Sequence, residues 1–360
     1  MAYRRHRPSR NWGARVHEIT WAGLDALVLE NELLRVTVLV GKGGDIAEFC
    51  FKPRDMDFVW LSPGGLRDPR AVAGGAADDT AAFLDSYEGG WQEVLPNGGA
   101  PSTYRGAAFA QHGEVAGLPW DADIVADDAG EVAVRLTVRA RRMPLRLTKV
   151  LRLRSGEAEL AVEEELVNEC GVALDVMWGH HIVFGAPFLR PGHRIRLPDG
   201  ARVVPHETAI APGGRRVASG GPHRWPRVPA AGGGEIDLDV VPGHGTPSEI
   251  VYLTGLDEGR YEVVDPDGGL GLRVRWDVAV LPHLWLWQES GATTGHPWWG
   301  QAYVMGLEPF AGYPTDGLAA AAGNGTALRL DAHSTRRLWL RAGVVEGGVV
   351  EGGGIEGEGM

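Results

Sequence analysis

Short runs of alternating apolar and polar residues dominate the chain and predict β-strands. From Val134 to Arg141, apolar side chains at every second position alternate with Arg or Thr, so one side of the strand is buried and the other faces water. No stretch has the long 3.6-residue repeat of an amphipathic helix. Many short strands joined by Gly, Pro and Asp are typical of two packed sheets, so we predict an all-β fold, a large antiparallel β-sandwich.

The predicted strands are rich in Val, Ile, Leu, Thr and aromatic residues. They are residues 17–20, 26–29, 34–39, 46–51, three strands between 131 and 167, and then 235–241, 249–254, 261–264, 270–276, 283–288, 302–308, 327–330 and 337–340. Residues 62–82 read as a surface loop with one helical turn near 80–84. Three consecutive glutamates, 163–165, interrupt one strand. We interpret them as a solvated edge or as partners of nearby arginines rather than as a catalytic cluster.

Composition and charge limit the kinds of protein and partner. Residues 1–12 form a basic arm, 13–343 one sandwich domain, and 344–360 a Gly- and Glu-rich tail that we expect to be disordered. The net charge of −12 argues against nucleic acid and anionic membranes as partners. There is no apolar export segment, no membrane-spanning run and no paired-cysteine pattern, so we expect a cytoplasmic protein in a reducing compartment. The oligomeric state leaves no trace in the sequence.

Two adjacent histidines stand in the apolar stretch from Asp175 to Gly185. If the stretch is a strand, His180 and His181 point to opposite sides of the sheet, and only one of them can enter a given pocket. A hydrogen-bonded core histidine is the alternative interpretation, because histidines in apolar strands are often satisfied internally.

Tryptophan and polar residues recur together in two other regions. Trp91 and Gln92 follow a Gly-Gly pair, in what we read as a loop that brings backbone close to a ligand. Trp285, Trp287 and Glu289 would share one face of a strand. Thirteen tryptophans exceed what a core requires, because a buried indole also needs a partner for its N–H, so these regions predict a pocket with aromatic walls.

As a set, three motifs in this order resemble the aldose 1-epimerase, or galactose mutarotase-like, family. They are Gln111-His112-Gly113 with Leu118-Pro119-Trp120, then Gly179-His180-His181-Ile182-Val183-Phe184, then Gly306-Leu307-Glu308-Pro309. The resemblance covers roughly residues 16–342 and implies the family's supersandwich fold. It also implies an enzyme that needs no cofactor and acts on a small sugar by interconverting the α and β anomers of an aldose.

The resemblance also implies roles for individual residues. His181 is the general acid, Glu308 the general base, and His112 helps to hold the sugar near its ring oxygen. A carboxylate suits removal of the anomeric proton and a protonated imidazole suits protonation of the ring oxygen, so we expect an ionised Glu308 beside a charged His181. Trp91, Gln92, Trp285, Trp287 and Glu289 are expected to bind the substrate.

Departures from the family indicate a divergent branch. Hexose-6-phosphate epimerases of this superfamily carry phosphate-binding arginines where this chain has Glu88 and Ala116, so an unphosphorylated sugar is expected. The family's hydroxyl-binding aspartate has no clear counterpart; Asp257 and Glu258 lie in the matching region. Two other functions stay open: a sugar-binding protein without turnover, and a metal-dependent isomerase using His112, His181 and Glu308 as ligands.

Overall fold

Residues 13–72, 78–211 and 213–346 are described by a computed structural model of the chain. The predicted basic arm and most of the predicted tail lie outside these residues. The strands, in chain order, are β1 Arg15–Trp21, β2 Leu24–Glu30, β3 Leu34–Leu39, β4 Asp45–Phe51, β5 Met56–Asp57, β6 Trp91–Val94, β7 Ser102–Tyr104, β8 Ala107–Phe109, β9 Asp121–Asp127, β10 Glu131–Arg139, β11 Leu145–Arg154, β12 Glu159–Asn168, β13 Leu174–Val176, β14 Gly179–Phe184, β15 Arg194–Arg196, β16 Arg202–Pro205, β17 His223–Arg224, β18 Arg227–Pro229, β19 Glu235–Asp237, β20 Glu249–Thr254, β21 Gly259–Val264, β22 Leu270–Trp276, β23 His283–Ser290, β24 Tyr303–Phe310, β25 Leu328–Leu330 and β26 Thr335–Glu346.

Helices are short and few in the part of the chain that the structure describes. They are α1 Pro69–Val72, α2 Asp79–Asp85 and α3 Leu318–Gly323, with 3₁₀ turns at Lys52–Arg54 and Val115–Gly117. Asp78 caps α2 by accepting a hydrogen bond from the backbone N–H of Ala81. The loop predicted for residues 62–82 therefore contains two short helices. No helix among the described residues is long and apolar enough to cross a membrane.

Two large antiparallel sheets carry most of the chain. The first has 12 strands in the order β1-β2-β3-β4-β6-β14-β24-β23-β20-β16-β17, with β5 paired to β4. The second has 8 strands in the order β15-β21-β22-β26-β12-β11-β10-β9. In the first sheet β14 lies between β6 and β24, which come from distant parts of the sequence. Candidate site residues on β6, β14 and β24 thus become neighbours.

One apolar core joins the two sheets. It combines Trp91 and Ile182 of the first sheet with Leu151 and Val162 of the second. Strand β11 alternates buried and half-exposed residues along its length, as expected for a strand with one wet face. The predicted all-β antiparallel sandwich is confirmed.

Three details of the sequence prediction are wrong. The tail was expected to begin at residue 344, but β26 continues to Glu346 because Val344 and Val345 pair with β22. The stretch around Trp91 was read as a loop, but it forms β6 between β4 and β14. The glutamates 163–165 do not interrupt their strand, which runs unbroken as β12. Among the described residues, the outer two pair with arginines, Glu163 with Arg341 and Glu165 with Arg337, and Glu164 does not.

Candidate active site

A row of side chains crosses the first sheet on the face that points away from the second sheet. Trp285 is paired with Glu308, and His181 with Gln92. The residue pairs on either side of His181, Gly179 with Phe310 and Val183 with Gly306, place it opposite Glu308. The pairing of Ile46 with Trp91 places Asp45 opposite Gln92. Directly opposed residues of antiparallel strands point the same way. Trp285, Glu308, His181, Gln92 and Asp45 are therefore neighbours, in that order.

His181 and Glu308 form a close pair in a cavity of about 240 Å³. The His181 Nε2 atom lies 3.5 Å from Glu308 Oε1, and the Tyr87 hydroxyl lies 3.4 Å from His181 Nδ1. Both side chains of the pair are almost completely buried, at 6% and 2% exposure. The other carboxylate oxygen, Glu308 Oε2, has no hydrogen-bond partner among the described residues. An acid–base pair with one free acceptor thus lines this space, which we name the His181 cavity.

Burial shifts the pKa values of Glu308 and His181 away from the values that the sequence suggested. Desolvation raises the pKa of Glu308 well above its usual value of 4.5. Desolvation, with a smaller contribution from His112, lowers the pKa of His181 well below 6.5. Burial therefore disfavours the expected charged pair and favours the neutral pair, with the proton on the carboxyl group.

His112 completes the polar part of the His181 cavity. Its ring centre lies 5.0 Å from that of His181. The residue has a left-handed backbone, φ 56°, held by a 2.9 Å bond from its N–H to the carbonyl oxygen of Gly99. The Gly99 N–H donates to His112 Nδ1, which leaves Nε2 as the N–H of the neutral ring. Burial lowers the pKa of His112 to about 4, so it is an uncharged hydrogen-bond donor at neutral pH.

Aromatic rings form the walls of the His181 cavity. Trp285 and Trp287 from β23 line one side, and Phe83, Tyr87 and Trp298 come from outside the first sheet. Trp287 lies 6.0 Å from both His181 and Trp298, measured between ring centres. Such walls exclude water and offer flat apolar surfaces to the C–H faces of a ligand.

His180 points the opposite way, into the core between the sheets. Its Nδ1 accepts a 2.9 Å bond from Trp91 Nε1, and its Nε2 lies 3.2 Å from Glu164 of the second sheet. Trp91 therefore supports the core and does not line the His181 cavity. Glu164 was expected at a solvated edge, but it is buried. Burial by itself would raise the pKa of Glu164, but His180 and Lys149 stabilise its charge and lower that pKa overall.

The same buried cluster is the one group of potential metal ligands with close donor atoms in the described residues. It consists of Glu93, Glu164 and His180, whose ligand atoms lie within 4.8 Å of one another. Both oxygens of Glu93 already have protein partners: Trp178 donates to Oε1, and Lys149 lies 3.3 Å from Oε2. An ammonium ion beside the carboxylates does not fit a second cation. The group does not include His112, His181 or Glu308.

The remaining predicted ligand-binding residues lie in different places. Gln92 stands beside His181 but lines a neighbouring cavity. Glu289 is buried away from both and accepts hydrogen bonds from the backbone and hydroxyl of Thr293. Asp257 and Glu258 are exposed in the turn between β20 and β21.

Sequence reasoning missed Tyr87, Asp45 and Lys42 near the site. The spacing of Tyr87 relative to the motifs carries no signal. Asp45 follows a Gly-rich turn, and its place in the row depends on the order of the strands in the sheet.

Comparison with solved structures shows the fold class. A protein from Klebsiella pneumoniae, provisionally named an aldose 1-epimerase, superimposes with a TM-score of 0.70 over 93% of this chain and 88% of that one, at 16% identity. A galactose mutarotase-like protein from Clostridium acetobutylicum superimposes with a TM-score of 0.61 over 93% and 99%, at 10% identity. At these identities the likeness concerns the fold, so this chain has a galactose mutarotase-like fold.

The sequence family is narrower than the fold. Residues 21–344 match a family described as a domain of unknown function, DUF4432, and the chain belongs to that family. No protein with a curated description matches the chain in sequence. The predicted resemblance to the mutarotase-like family, as a divergent branch, is confirmed at the level of the fold.

Proposed function

We propose that this protein is an aldose 1-epimerase that interconverts the α and β anomers of an unphosphorylated aldose. The observation that carries the proposal is the buried His181–Glu308 pair, 3.5 Å apart, beside a neutral His112 and between aromatic walls. The names of the structural neighbours support it. We also propose that residues 13–346 act as one domain and that the protein works in the cytoplasm on a small sugar.

Anomer exchange requires two proton transfers. Glu308 takes the proton of the anomeric hydroxyl while His181 protonates the ring oxygen, so the bond between the anomeric carbon and the ring oxygen breaks and a carbonyl forms. Rotation about the adjacent carbon–carbon bond exposes the other carbonyl face, and the reverse transfers close the ring. The Nε2–H of His112 donates to the ring-oxygen region and orients the sugar.

The pair carries one proton in total, which reconciles these roles with the pKa directions. At rest the proton is on Glu308, because burial disfavours separated charges. A sugar hydroxyl that donates to the free Glu308 Oε2 stabilises the carboxylate and releases the proton to His181. Binding of the substrate therefore prepares the acid and the base without uptake of a proton from water.

The test is anomer exchange followed by NMR across a panel of unphosphorylated aldoses. We expect one or more sugars to be accelerated by the parent protein, and Glu308→Gln and His181→Ala each to lower the rate by about 10²- to 10⁴-fold, as for other positioned acids and bases. Glu249→Gln is the matched control, a buried glutamate that binds backbone N–H groups outside the cavity. Saturable sugar binding without acceleration would instead identify a sugar-binding protein.

A further inference from the structure

A second cavity, of about 210 Å³, adjoins the His181 cavity and shares Phe83 and Gln111 with it as wall residues. Lys42 and Gln92 also line this space, which we name the Gln92 cavity. Gln92 and His181 are opposed on neighbouring strands, so their side chains stand side by side on one face of the sheet. The Gln92 cavity therefore begins next to the acid–base pair.

A buried charge cluster lies behind the wall residues Lys42 and Gln92 of this cavity. Lys42 Nζ donates to Asp45 Oδ2 at 2.8 Å and to Glu88 Oε2 at 2.6 Å. Burial opposes a charge on Lys42, but the two carboxylates outweigh burial and raise its pKa. Burial raises the pKa of Glu88 to about 7, against the attraction of Lys42. The cluster is therefore close to neutral overall, with its cation held between two acidic groups.

Three oxygen atoms of this cluster have no hydrogen-bond donor among the described residues. Gln92 Nε2 donates to Asp45 Oδ2 at 3.2 Å, and a carboxylate can only accept, so the amide must turn its oxygen away. Gln92 Oε1, Asp45 Oδ1 and Glu88 Oε1 are left without partners, and all three side chains are at most 1% exposed. Buried acceptors without donors are costly, and of the three only Gln92 Oε1 belongs to a residue that lines the cavity, so this atom calls for a donor from a ligand.

We propose that the Gln92 cavity is a second subsite, which receives hydroxyl groups of a neutral sugar on the part of the molecule remote from the anomeric carbon. This proposal rests on the proposed function, because the same sugar would reach Glu308. A hydroxyl group can donate to Gln92 Oε1 and can accept from the remaining N–H of Lys42.

Two other ligand classes fit the cluster less well. A phosphate or carboxylate group would face Asp45 and Glu88, and the Lys42 charge that could attract it is already used by them. A metal ion would compete with the Lys42 ammonium group for the same carboxylates. The arrangement therefore selects uncharged hydroxyl groups.

The test compares Gln92→Met with the parent on one aldohexose and on its deoxy analogues, each lacking a single hydroxyl. Gln92→Met keeps the approximate volume and removes the acceptor. We expect it to raise KM, and Kd measured by calorimetry, roughly two- to tenfold for the aldohexose, the range for one hydrogen bond. The analogue lacking the hydroxyl that enters the Gln92 cavity should show little change, because that contact is already absent.

Gln288→Met is the control for loss of a buried glutamine outside both cavities. If Gln92→Met weakens no sugar, or weakens every deoxy analogue as much as the aldohexose, the subsite is wrong. Calorimetry separates this result from failure of the proposed function: binding that obeys the deoxy pattern without anomer exchange supports the subsite and contradicts the enzyme. Absence of any sugar binding to the parent overturns the subsite.

A charge variant provides the second measurement. Glu88→Gln removes one carboxylate from the cluster. We therefore expect the ratio of the Kd for the 6-phosphate to the Kd for the aldohexose to fall by several-fold. Glu249→Gln should leave that ratio as in the parent. An unchanged ratio in Glu88→Gln would contradict selection of neutral groups by this cluster.

Discussion

At the scale of single residues, the site depends on how burial distributes one proton. Glu308 and His181 are titratable groups whose usual pKa values would place a shared proton on the imidazole rather than on the carboxylate. Burial reverses that order, since the pKa of Glu308 is raised and that of His181 is lowered by desolvation. In the proposed mechanism, the functional state is defined by the total of one proton on the pair rather than by the charge of either residue.

A pair that works with one proton in total predicts a broad plateau in the dependence of activity on pH. As pH falls, activity is lost when His181 takes up a second proton, at a pH well below 6.5 because its pKa is lowered. As pH rises, activity is lost when Glu308 gives up the last proton, at a pH well above 4.5 because its pKa is raised. The measurement is kcat/KM for anomer exchange against pH, corrected for spontaneous exchange. An acid limb at or above pH 6.5 would contradict a desolvated His181.

At the scale of elements, strand geometry places the Glu308 carboxylate. Gly306 and Glu308 lie two residues apart on β24 and therefore face the same side of the sheet. A Cβ atom at Gly306 would lie 2.3 Å from Glu308 Oε1, so the carboxylate occupies the space that the glycine leaves open. The small residue thus sets where the proposed general base, Glu308, can stand.

Gly306→Ala should therefore damage activity more than stability. The added methyl group displaces the Glu308 carboxylate, and misplacement of a reacting group by about 1 Å can cost about 10²-fold in rate. The clash is with the end of a flexible side chain, so we expect only a small change in Tm. The measurements are kcat/KM and thermal unfolding. Gly323→Ala, where a Cβ has no atom within 4 Å, is the control, and equal activities in the two variants would be inconsistent with this role.

At the scale of the whole molecule, buried charges join the two sheets directly below the site. Lys149 of β11 lies 3.3 Å from Glu93 of β6, and His180 of β14 contacts Glu164 of β12. Burial, with the charge of Glu164, raises the pKa of Glu93 to about 7 despite these cations. The strand that carries His181 is thus held from behind by groups of the other sheet.

Lys149→Met should destabilise the protein strongly. Removal of one partner from a buried ion pair typically costs about 3–5 kcal/mol, because the other charge stays buried without compensation. The loss should be smaller at pH 6 than at pH 8, since Glu93 takes up a proton as pH falls through its pKa of about 7. Urea unfolding at the two pH values measures this. Lys52→Met, at a partly exposed pair with Glu30, should cost less than about 1 kcal/mol. Similar losses in the two variants would contradict the argument.

Much of the fold could be predicted from the sequence, because the alternation of side chains in a strand is local. The predicted strands 34–39, 249–254 and 270–276 coincide with β3, β20 and β22. Alternation also predicts that His180 and His181 face opposite sides, as they do. The roles assigned to His181, Glu308 and His112 came from the resemblance of motifs and await the kinetic test.

Local pattern alone did not locate β6. Gly90 has φ 75°, and a Cβ there would lie 2.5 Å from the carbonyl oxygen of Ile46, so this glycine marks a close approach of two strands. The sequence suggested a loop, since the glycines looked the same in either context. Trp91 and Glu164 are buried because β6 and β14 place Trp91 and His180 in the core, where His180 contacts Glu164. This burial depends on the order of the strands and could not be predicted from the two residues themselves.

What the sequence by itself determined is the class of structure and which side each strand residue faces, because both depend on neighbours along the chain. Only the tertiary structure decided which residues meet. The order β4-β6-β14-β24-β23 brings Asp45, Gln92, His181, Glu308 and Trp285 into one row. It also decided the protonation of the pair, since desolvation depends on how completely distant parts of the chain exclude water from the cavity.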